Sequence, residues 1–375
     1  MISEIMLLRL ISAQPFPNQM NTITPNLFLG VGFHAIGALF AAACYTPQKK
    51  IKGWSWQSYW LTQASFCWLL LPIVGAALTI PELMAVLREA PHDAMWKSFV
   101  LGAFYGIGGT AFGISIRYIG FSLTYAIAVG LSSVLGTLIP PLVAGTLWDV
   151  LHKPGASWVI GGIVVGTLGI ACAGWAGRLK ETDLSRQNAK DNFSLSKGLL
   201  LSLLAGVLSA VYGFALATGE PIAKVAEAHG AGIYRGNVVY IFANSGAFLT
   251  TAIYCLWLHL RHKTLGEMVE LPAGPEKASL PANFVLAAIT GCLWYGQFFF
   301  YNLGHVRLGD KFAFTSWAIH MIMLVLFSNL MGVLLLEWRG CRRATHYVIG
   351  IALIVLIAAV LLLTYGNRIG EPAWK

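Results

Sequence analysis

Ten long apolar segments constrain this chain of 375 residues more than any other feature. A helix needs about 20 mostly apolar residues to cross a hydrocarbon core of about 30 Å. Charged residues make up only 11% of the chain, and so few charges cannot cover the surface of a water-soluble fold of this size. The sequence therefore predicts an all-α membrane protein. Its ten predicted spans are 27–46, 58–80, 98–116, 121–147, 157–176, 198–218, 235–259, 282–303, 312–336 and 345–366.

The two halves of the chain resemble each other. The triplet Val159-Ile160-Gly161 recurs at Val348-Ile349-Gly350, and four glycines recur at the same displacement of 189 positions. Because each half has an odd number of spans, the second enters the membrane inverted, as in many secondary transporters whose substrate site lies between the halves. Duplication without transport, as in some membrane enzymes and scaffolds, is the alternative. The paired glycines are Gly102 and Gly291, Gly120 and Gly309, Gly161 and Gly350, and Gly177 and Gly366.

This repeat gives the predicted domain organisation. Two inverted five-helix repeats cover residues 27–177 and 198–366, and a cytoplasmic linker at 178–197 joins them. An N-terminal extension occupies residues 1–26, although Met20 is an alternative start, and residues 367–375 form a C-terminal tail. Pro140 and Pro141 predict a kink in the last third of the fourth span.

The basic residues predict the orientation in the membrane. The loops that follow the odd-numbered spans carry 15 of the 25 Lys and Arg residues, and cytoplasmic loops are enriched in both. We therefore expect these loops in the cytoplasm and both termini outside. The net charge of +9 predicts no nucleic-acid partner, because no basic patch with interleaved aromatic residues accompanies it.

The distribution of cysteines and acids predicts neither an enzyme nor a metal site. No two of the six cysteines have the CxxC spacing, so we expect no disulfide framework, no metal and no cofactor. The 16 acidic residues fall at span ends, in loops or in tails. No pair of carboxylates inside the spans is available for acid–base or metal-assisted hydrolysis.

Two histidines lie inside the predicted spans. His34 and His320 are each about eight residues from the outer end of a span, which places both about 12 Å deep. Gln297 lies at a similar depth in the eighth span. Because histidine changes charge between pH 5 and 8, His34 and His320 are candidates for proton coupling. The alternative for each is a satisfied hydrogen bond between helices.

An aromatic segment surrounds Gln297, in the order Trp294-Tyr-Gly-Gln-Phe-Phe-Phe-Tyr301. Aromatic faces stack on the C–H face of a sugar, and amide or indole groups satisfy its hydroxyls. Trp317 lies three residues before His320 on the same helical face. The aromatic and amide groups together form a candidate binding site. Its candidate contacts are Gln297, Trp294, Tyr295, Tyr301 and Trp317.

The alternative for these aromatic residues is a belt at the membrane interface, where Trp and Tyr are enriched. A belt explains several other tryptophans well: Trp54, Trp56, Trp96, Trp148 and Trp338. It explains Gln297 less well, because an amide gains little from facing lipid.

The chain resembles the L-rhamnose–proton symporter family, within the drug/metabolite transporter superfamily. The resemblance covers the chain from about Gly30 to the last span, and its most specific pieces are Gln297-Phe-Phe-Phe-Tyr301 and Gly304-His-Val-Arg307. It implies ten spans, sugar uptake driven by protons, and a bacterial inner membrane. The chain departs from the family pattern in its N-terminal extension and at Lys311-Phe-Ala-Phe-Thr315, which lacks the expected acid and tyrosines.

The main hypothesis is therefore symport of L-rhamnose, or a close deoxysugar, with a proton. The five candidate contacts would bind the sugar, His34 and His320 would sense or carry the proton, and His305 and Arg307 would gate the outer end. Two alternatives remain open: a drug/metabolite-type exporter of amino acids or small organic compounds, and a sensor or scaffold that binds sugar without moving it. The sequence does not indicate the oligomeric state.

Overall fold

The computed structural model describes residues 25–44, 46–185, 194–271, 279–309 and 315–370. The described residues contain ten helices that are long and apolar enough to cross a membrane, which confirms the predicted all-helical membrane fold. Most of the predicted extension, the middle of the predicted linker and residues 311–314 lie outside the described ranges. The spanning helices are α1 (Leu27–Ala43), α2 (Trp56–Thr79), α3 (His92–Ile119), α4 (Phe121–Val143), α5 (Ala156–Ser185), α6 (Leu195–Thr218), α7 (Asn237–His262), α8 (Leu280–Leu308), α9 (Thr315–Leu334) and α10 (Arg343–Gly370).

The ends of several helices follow from local chemistry. The Asn26 side chain accepts a hydrogen bond from the Leu29 amide and caps the start of α1. Gly120 ends α3 with φ 78° and Gly309 ends α8 with φ 74°. A positive φ favours glycine, because a Cβ there would strain the backbone. The chain thus turns in the same way at two positions that are 189 residues apart.

Two helices contain prolines with different effects. Helix α2 is π-helical over Ser65–Leu70, immediately before Pro72, and the Leu71 amide donates to the Phe66 carbonyl. A π-helical turn has one more residue than an α-helical turn, and such turns are common where an i→i−4 hydrogen bond is interrupted. Pro72 causes such an interruption because it has no amide hydrogen. In α4, Pro140 and Pro141 lie in the last turn, and the helix ends at Val143. The span is therefore shorter at this end than the sequence pattern predicts.

Glycines allow the helices to approach closely. A Cβ on Gly102 of α3 would collide with the Ala243 carbonyl of α7, and one on Gly246 of α7 would collide with the Phe99 carbonyl of α3. Small residues favour helix association in lipid because they let two backbones approach closely. Such packing matters there because the hydrophobic effect does not drive helices together inside a bilayer. Helix α1 packs on α8 and α9, and α6 packs on α3 and α4. The pair α5 and α10 forms another extensive contact.

The bundle has two polar ends. We call the end where α1 begins and α10 ends the outer end, following the orientation predicted from charge. At the opposite, inner end, Glu337 forms ion pairs with Lys49 and with Lys180, the second at 3.0 Å. Helix α5 continues into the predicted linker, and there Asp183 accepts hydrogen bonds from Thr345 and Arg342.

Two ionised groups outside the spans have shifted pKa values. Burial raises the pKa of Glu337, but the interactions with Lys49 and Lys180 lower it by more than burial raises it. The pKa of Glu337 therefore lies below its ordinary value. At the outer end, hydrogen bonds to Glu89 and then Glu82 raise the pKa of His229, against the opposing effect of desolvation. Both carboxylates lie between α2 and α3, whereas His229 lies between α6 and α7.

Candidate functional site

A cavity of about 680 Å³ lies at the outer end, between α4, α6, α7, α8 and α9. Its volume falls within the range of about 300–1,000 Å³ that is typical of small-molecule sites. Its deepest lining residues include Gly136, Gly213, Tyr301 and Trp317. Charged and titratable side chains line the wider part near the outer surface: Asp149, Lys153, Glu220, Lys224, Arg235 and His305.

Trp317 forms the floor of this outer cavity. Its indole Nε1 donates to the Ser132 carbonyl at 3.0 Å, which fixes the ring between α4 and α9. The ring fits there because α4 and α6 have glycines beside it: a Cβ on Gly136 would lie 2.5 Å from the indole nitrogen, and one on Gly213 would lie 3.4 Å from the ring. The side chain is only 4% exposed, so it separates the outer cavity from the space below.

A second, small cavity of about 70 Å³ lies beneath Trp317 at the centre of the bundle. Gln297, Trp294 and Trp317 line it together with Tyr125. This central cavity is far below the range of about 300–1,000 Å³ that is typical of small-molecule sites, and it has room only for a few waters. The predicted amide and indole groups therefore meet directly below the floor of the outer cavity.

A third cavity of about 390 Å³ lies towards the inner end. Tyr125 lines both the central and the inner cavity, as Trp317 lines both the outer and the central one. The three cavities are thus stacked from one end of the bundle to the other. Two aromatic side chains separate them.

The two intramembrane histidines meet beside the outer cavity. Their ring centroids are 5.7 Å apart, and His34 Nε2 lies 3.0 Å from the Ser316 hydroxyl. Both rings are almost completely buried, and the Nδ1 atom of each has no hydrogen-bond partner among the described residues. Neither ring lines any of the three cavities. Glycines make the room: a Cβ on Gly304 would lie 2.9 Å from His34 Nε2, and one on Gly37 would lie 3.1 Å from His320 Cε1.

Tyr301 connects the histidine pair to the outer cavity. Its ring centroid lies 5.3 Å from that of His34 and 5.3 Å from that of His320. The same ring stacks on His305 at 5.9 Å and contacts Trp317 at 5.6 Å. Tyr301 and His305 both line the outer cavity. A chain of ring contacts therefore runs from the cavity to the buried pair.

Besides the two histidines, two other candidate residues lie away from the three cavities. Tyr295 points at Gly75 of α2, because it is about 100° around α8 from Trp294, whereas Gln297 and Tyr301 share the Trp294 face. Arg307 lies at the end of α8, where its carbonyl accepts a hydrogen bond from the Asn26 amide at the start of α1. Neither Tyr295 nor Arg307 lines any of the three cavities.

Several polar residues at the site were not among the sequence candidates. Asn302 and Arg235 line the outer cavity, and the Asn302 amide donates to Asn237 Oδ1 at 3.4 Å. Deeper in the bundle, the Tyr212 hydroxyl donates to Asn244 Oδ1 at 2.6 Å. The signal that identified Gln297, an amide inside an apolar segment, could have found all three asparagines.

The chemistry of these side chains suits a neutral, hydroxyl-rich ligand. Within the described ranges, no group of three or more His, Cys, Asp or Glu side chains could hold a metal ion. The outer cavity combines the aromatic faces of Tyr301 and Trp317 with the amide of Asn302. Tyr301 connects it to the pair of titratable rings.

Comparisons with known proteins give a consistent result. Residues 23–368 match the family described as L-rhamnose-proton symport protein (RhaT). An L-rhamnose-proton symporter of Cronobacter sakazakii is 33% identical over 88% of this chain and 95% of its own length. Proteins of the same description from Klebsiella pneumoniae and Yersinia pestis are each 32% identical, over 88% and 89% of this chain and 95% and 96% of their own lengths.

Proposed function

The chain belongs to the L-rhamnose-proton symport protein family, a family of transporters, and from this premise we propose that it carries L-rhamnose into the cell together with a proton. The observation that carries the proposal is the outer cavity, whose floor residue Tyr301 contacts Trp317 and also both rings of the buried histidine pair. The proposed sugar site and the histidine pair are thus in contact through the Tyr301 ring. This contact is what coupling requires, because occupancy of one site must change the other.

The sugar binds in the outer cavity against the rings of Tyr301 and Trp317. As it descends, it meets Gln297 and Trp294, which line the central cavity. Tyr295 supports α8 from the α2 side and does not contact the sugar. Because the central cavity measures about 70 Å³, Trp317 moves aside during passage.

The proton reaches the histidine pair through the ring contacts of His305 and Tyr301. In this mechanism the His34–His320 pair takes up and releases the proton as the surrounding helices rearrange. Sugar that displaces Tyr301 or Trp317 changes the environment of the pair. Arg307 helps to hold the outer end of α8 against the start of α1, and His305 gates access from the cavity.

The two halves are inverted repeats, each with five spans, as in transporters that alternate between outward- and inward-facing states. The helix contacts support this arrangement, because α1 packs on α8 and α9 as α6 packs on α3 and α4. The matching conformations of Gly120 and Gly309 support it further. We also propose that the family belongs to the drug/metabolite transporter superfamily and that this protein lies in a bacterial inner membrane.

The direct test is uptake of labelled L-rhamnose by cells that express the protein, with and without an uncoupler. We expect accumulation above the external concentration, and its collapse to equilibrium when the proton gradient is dissipated. Cells that carry the empty vector provide the background. Accumulation that persists after uncoupling would rule out proton symport, and an absence of uptake would rule out rhamnose as the substrate.

A competition panel refines the substrate. Unlabelled rhamnose should compete fully with labelled rhamnose. Other deoxysugars and hexoses should compete in proportion to how well they keep the hydroxyl pattern that faces Gln297 and the indole groups. Stronger competition by an unrelated amino acid or organic cation would favour the exporter-type alternative.

A further inference from the structure

The inner cavity of about 390 Å³ has a lining that the proposed outer site does not use. It lies between the inner parts of α4, α5 and α9 and the segment that follows α1. Its volume also falls within the usual range for small-molecule sites. Its polar and aromatic lining residues are Thr46, Gln48, Lys49, Tyr125, Lys180, Ser328, Asn329, Glu337 and Trp338.

Two polar atoms in this lining have no partner. Trp338 is 3% exposed, and its Nε1 atom is buried without a hydrogen bond among the described residues. The Ser328 hydroxyl is in the same situation. Buried polar groups are nearly always satisfied by protein or by ordered water, so each of these two atoms would gain a hydrogen bond from a ligand that reaches it. The burial of Trp338 also corrects the prediction that it belongs to an aromatic belt, because a belt residue would face lipid.

The three charged residues of this cavity are paired with one another and leave a net charge of +1. Glu337 pairs with Lys49 and Lys180, and the Lys180 ammonium lies 4.9 Å from the centre of the Trp338 ring. The groups left to bind a ligand are amides, a hydroxyl and an indole N–H beside an aromatic face. This set suits the hydroxyls and the C–H face of a neutral sugar.

The inner cavity also lies on the route from the outer site. Tyr125 forms a wall that it shares with the central cavity, and Trp317 forms the wall between the central and the outer cavity. We propose that the inner cavity is a second sugar subsite, where Trp338 and Ser328 bind the sugar after it has passed Tyr125 and before it leaves at the inner end. This inference rests on the proposed function, because it needs a sugar that travels through the bundle.

The experiment measures rhamnose exchange separately from each face, in right-side-out and inside-out membrane vesicles. Trp338→Phe keeps the aromatic ring and removes only the N–H donor. We expect the half-saturating concentration from the inner face to rise about 3- to 10-fold, as for the loss of one hydrogen bond, and that from the outer face to change less than about twofold. Ser328→Ala, which removes the second unpartnered atom, should act in the same direction.

Trp148→Phe is the matched control, because Trp148 is 72% exposed at the outer end and lines none of the three cavities. It should leave both half-saturating concentrations unchanged. The proposal is overturned if Trp338→Phe and Ser328→Ala exchange rhamnose with normal concentration dependence at the inner face, or if their effects appear at the outer face. If the unmodified protein exchanges no rhamnose from either face, the proposed function itself fails.

Protection from labelling gives a second readout. Ser328→Cys places a thiol in the inner cavity, and Cys341, which is partly exposed outside that cavity, serves as an internal control for a permeant maleimide. Rhamnose should slow the labelling of position 328 without slowing that of Cys341. Protection by inorganic phosphate but not by rhamnose would assign the cavity to an anion and overturn the proposal.

Discussion

Two polar clusters lie at helix contacts that the proposed repeat relates to each other, and only one of them contains histidine side chains. Towards the outer end, His34 of α1 lies against Gly304 of α8 and bonds Ser316 of α9. Towards the inner end, Ser202 of α6 bonds Ser115 of α3 at 2.7 Å. The glycine contacts beside the two clusters also resemble each other, because Gly30 packs on Leu308 and Gly198 packs on Ile119.

If the two halves are repeats as proposed, the difference between the clusters shows how one copy can acquire a separate role. In the inner cluster, the Ser115 hydroxyl connects three neighbours, the Gly198 carbonyl, Ser202 and Thr124. Such bonds between spans stabilise by about 0.6–1.7 kcal/mol and have no pH dependence. In the outer cluster a glycine replaces the serine, and the space holds an imidazole. The same interface is thus structural in one half and, in the proposed mechanism, proton-carrying in the other.

The largest expected effect comes from removing the titratable groups. In His320→Ala and His34→Ala, we expect proton-driven accumulation of rhamnose to fall at least about tenfold, as for the loss of an acid–base group. Exchange of rhamnose without a gradient should survive better than accumulation. The measurement is uptake with and without an uncoupler, together with its pH dependence. Ser202→Ala, which changes the proposed counterpart of His34, is the control and should keep accumulation. If both histidine variants keep the pH dependence of the unmodified protein, the outer cluster has no role in proton coupling.

Gly304→Ser gives the outer cluster the side chain that the inner one has at Ser115. A Cβ at Gly304 would lie 2.9 Å from His34 Nε2, so the ring must move or the helices must separate, at a cost of about 1–3 kcal/mol. We expect impaired uptake and a shifted pH profile. Gly32→Ser is matched to it, because a Cβ at Gly32 meets nothing within 4 Å. Equal behaviour of the two variants would show that space beside His34 is unimportant.

Ser115→Ala tests the inner cluster in the opposite sense. It removes a hydroxyl with three buried partners, so the free energy of unfolding should fall by about 1 kcal/mol. Uptake and its pH profile should stay within about twofold of the unmodified protein. Thermal unfolding in detergent gives the first quantity and vesicle uptake the second. A changed pH optimum would mean that the inner cluster also takes part in coupling.

The smallest effect concerns His229 at the outer surface, a competing source of pH dependence. Its two carboxylate partners raise its pKa above the ordinary value of 6.5. The stabilisation is therefore complete below about pH 6.5 and is lost as the pH rises through the raised pKa. We expect the midpoint of thermal unfolding to decrease slightly over that interval, and His229→Gln to remove this component. The pH profile of uptake should not change; if it does, the outer loops contribute to coupling.

The sequence was sufficient for the fold class and for the common depth of the two histidines. Length and apolarity define ten spans without any tertiary information. Depth along a helix follows from the rise per residue, so the separate positions of His34 and His320 predict a common level. Their actual contact also depends on Gly37 and Gly304, whose role emerges only when α1 is packed against α8.

Other features depend on which neighbour each face meets. Tyr295 resembles its aromatic neighbours in sequence, but the rotation of α8 turns it towards Gly75. Trp338 resembles a belt residue, yet the segment after α9 folds it inward under Lys180. The Ser115 cluster has no distinctive signal, because serine and threonine are common in membrane helices and often bond their own backbone.

The narrowness of the central cavity has a consequence for the energy supply of the cell. A space with room only for a few waters, between Trp317 and Tyr125, does not form a continuous column of water from one side of the membrane to the other. Such a column would conduct protons and short-circuit the gradient that drives uptake. Trp317 and Tyr125 thus prevent protons from crossing along water. A variant with a wider passage would let protons leak into the cell even when no sugar is present.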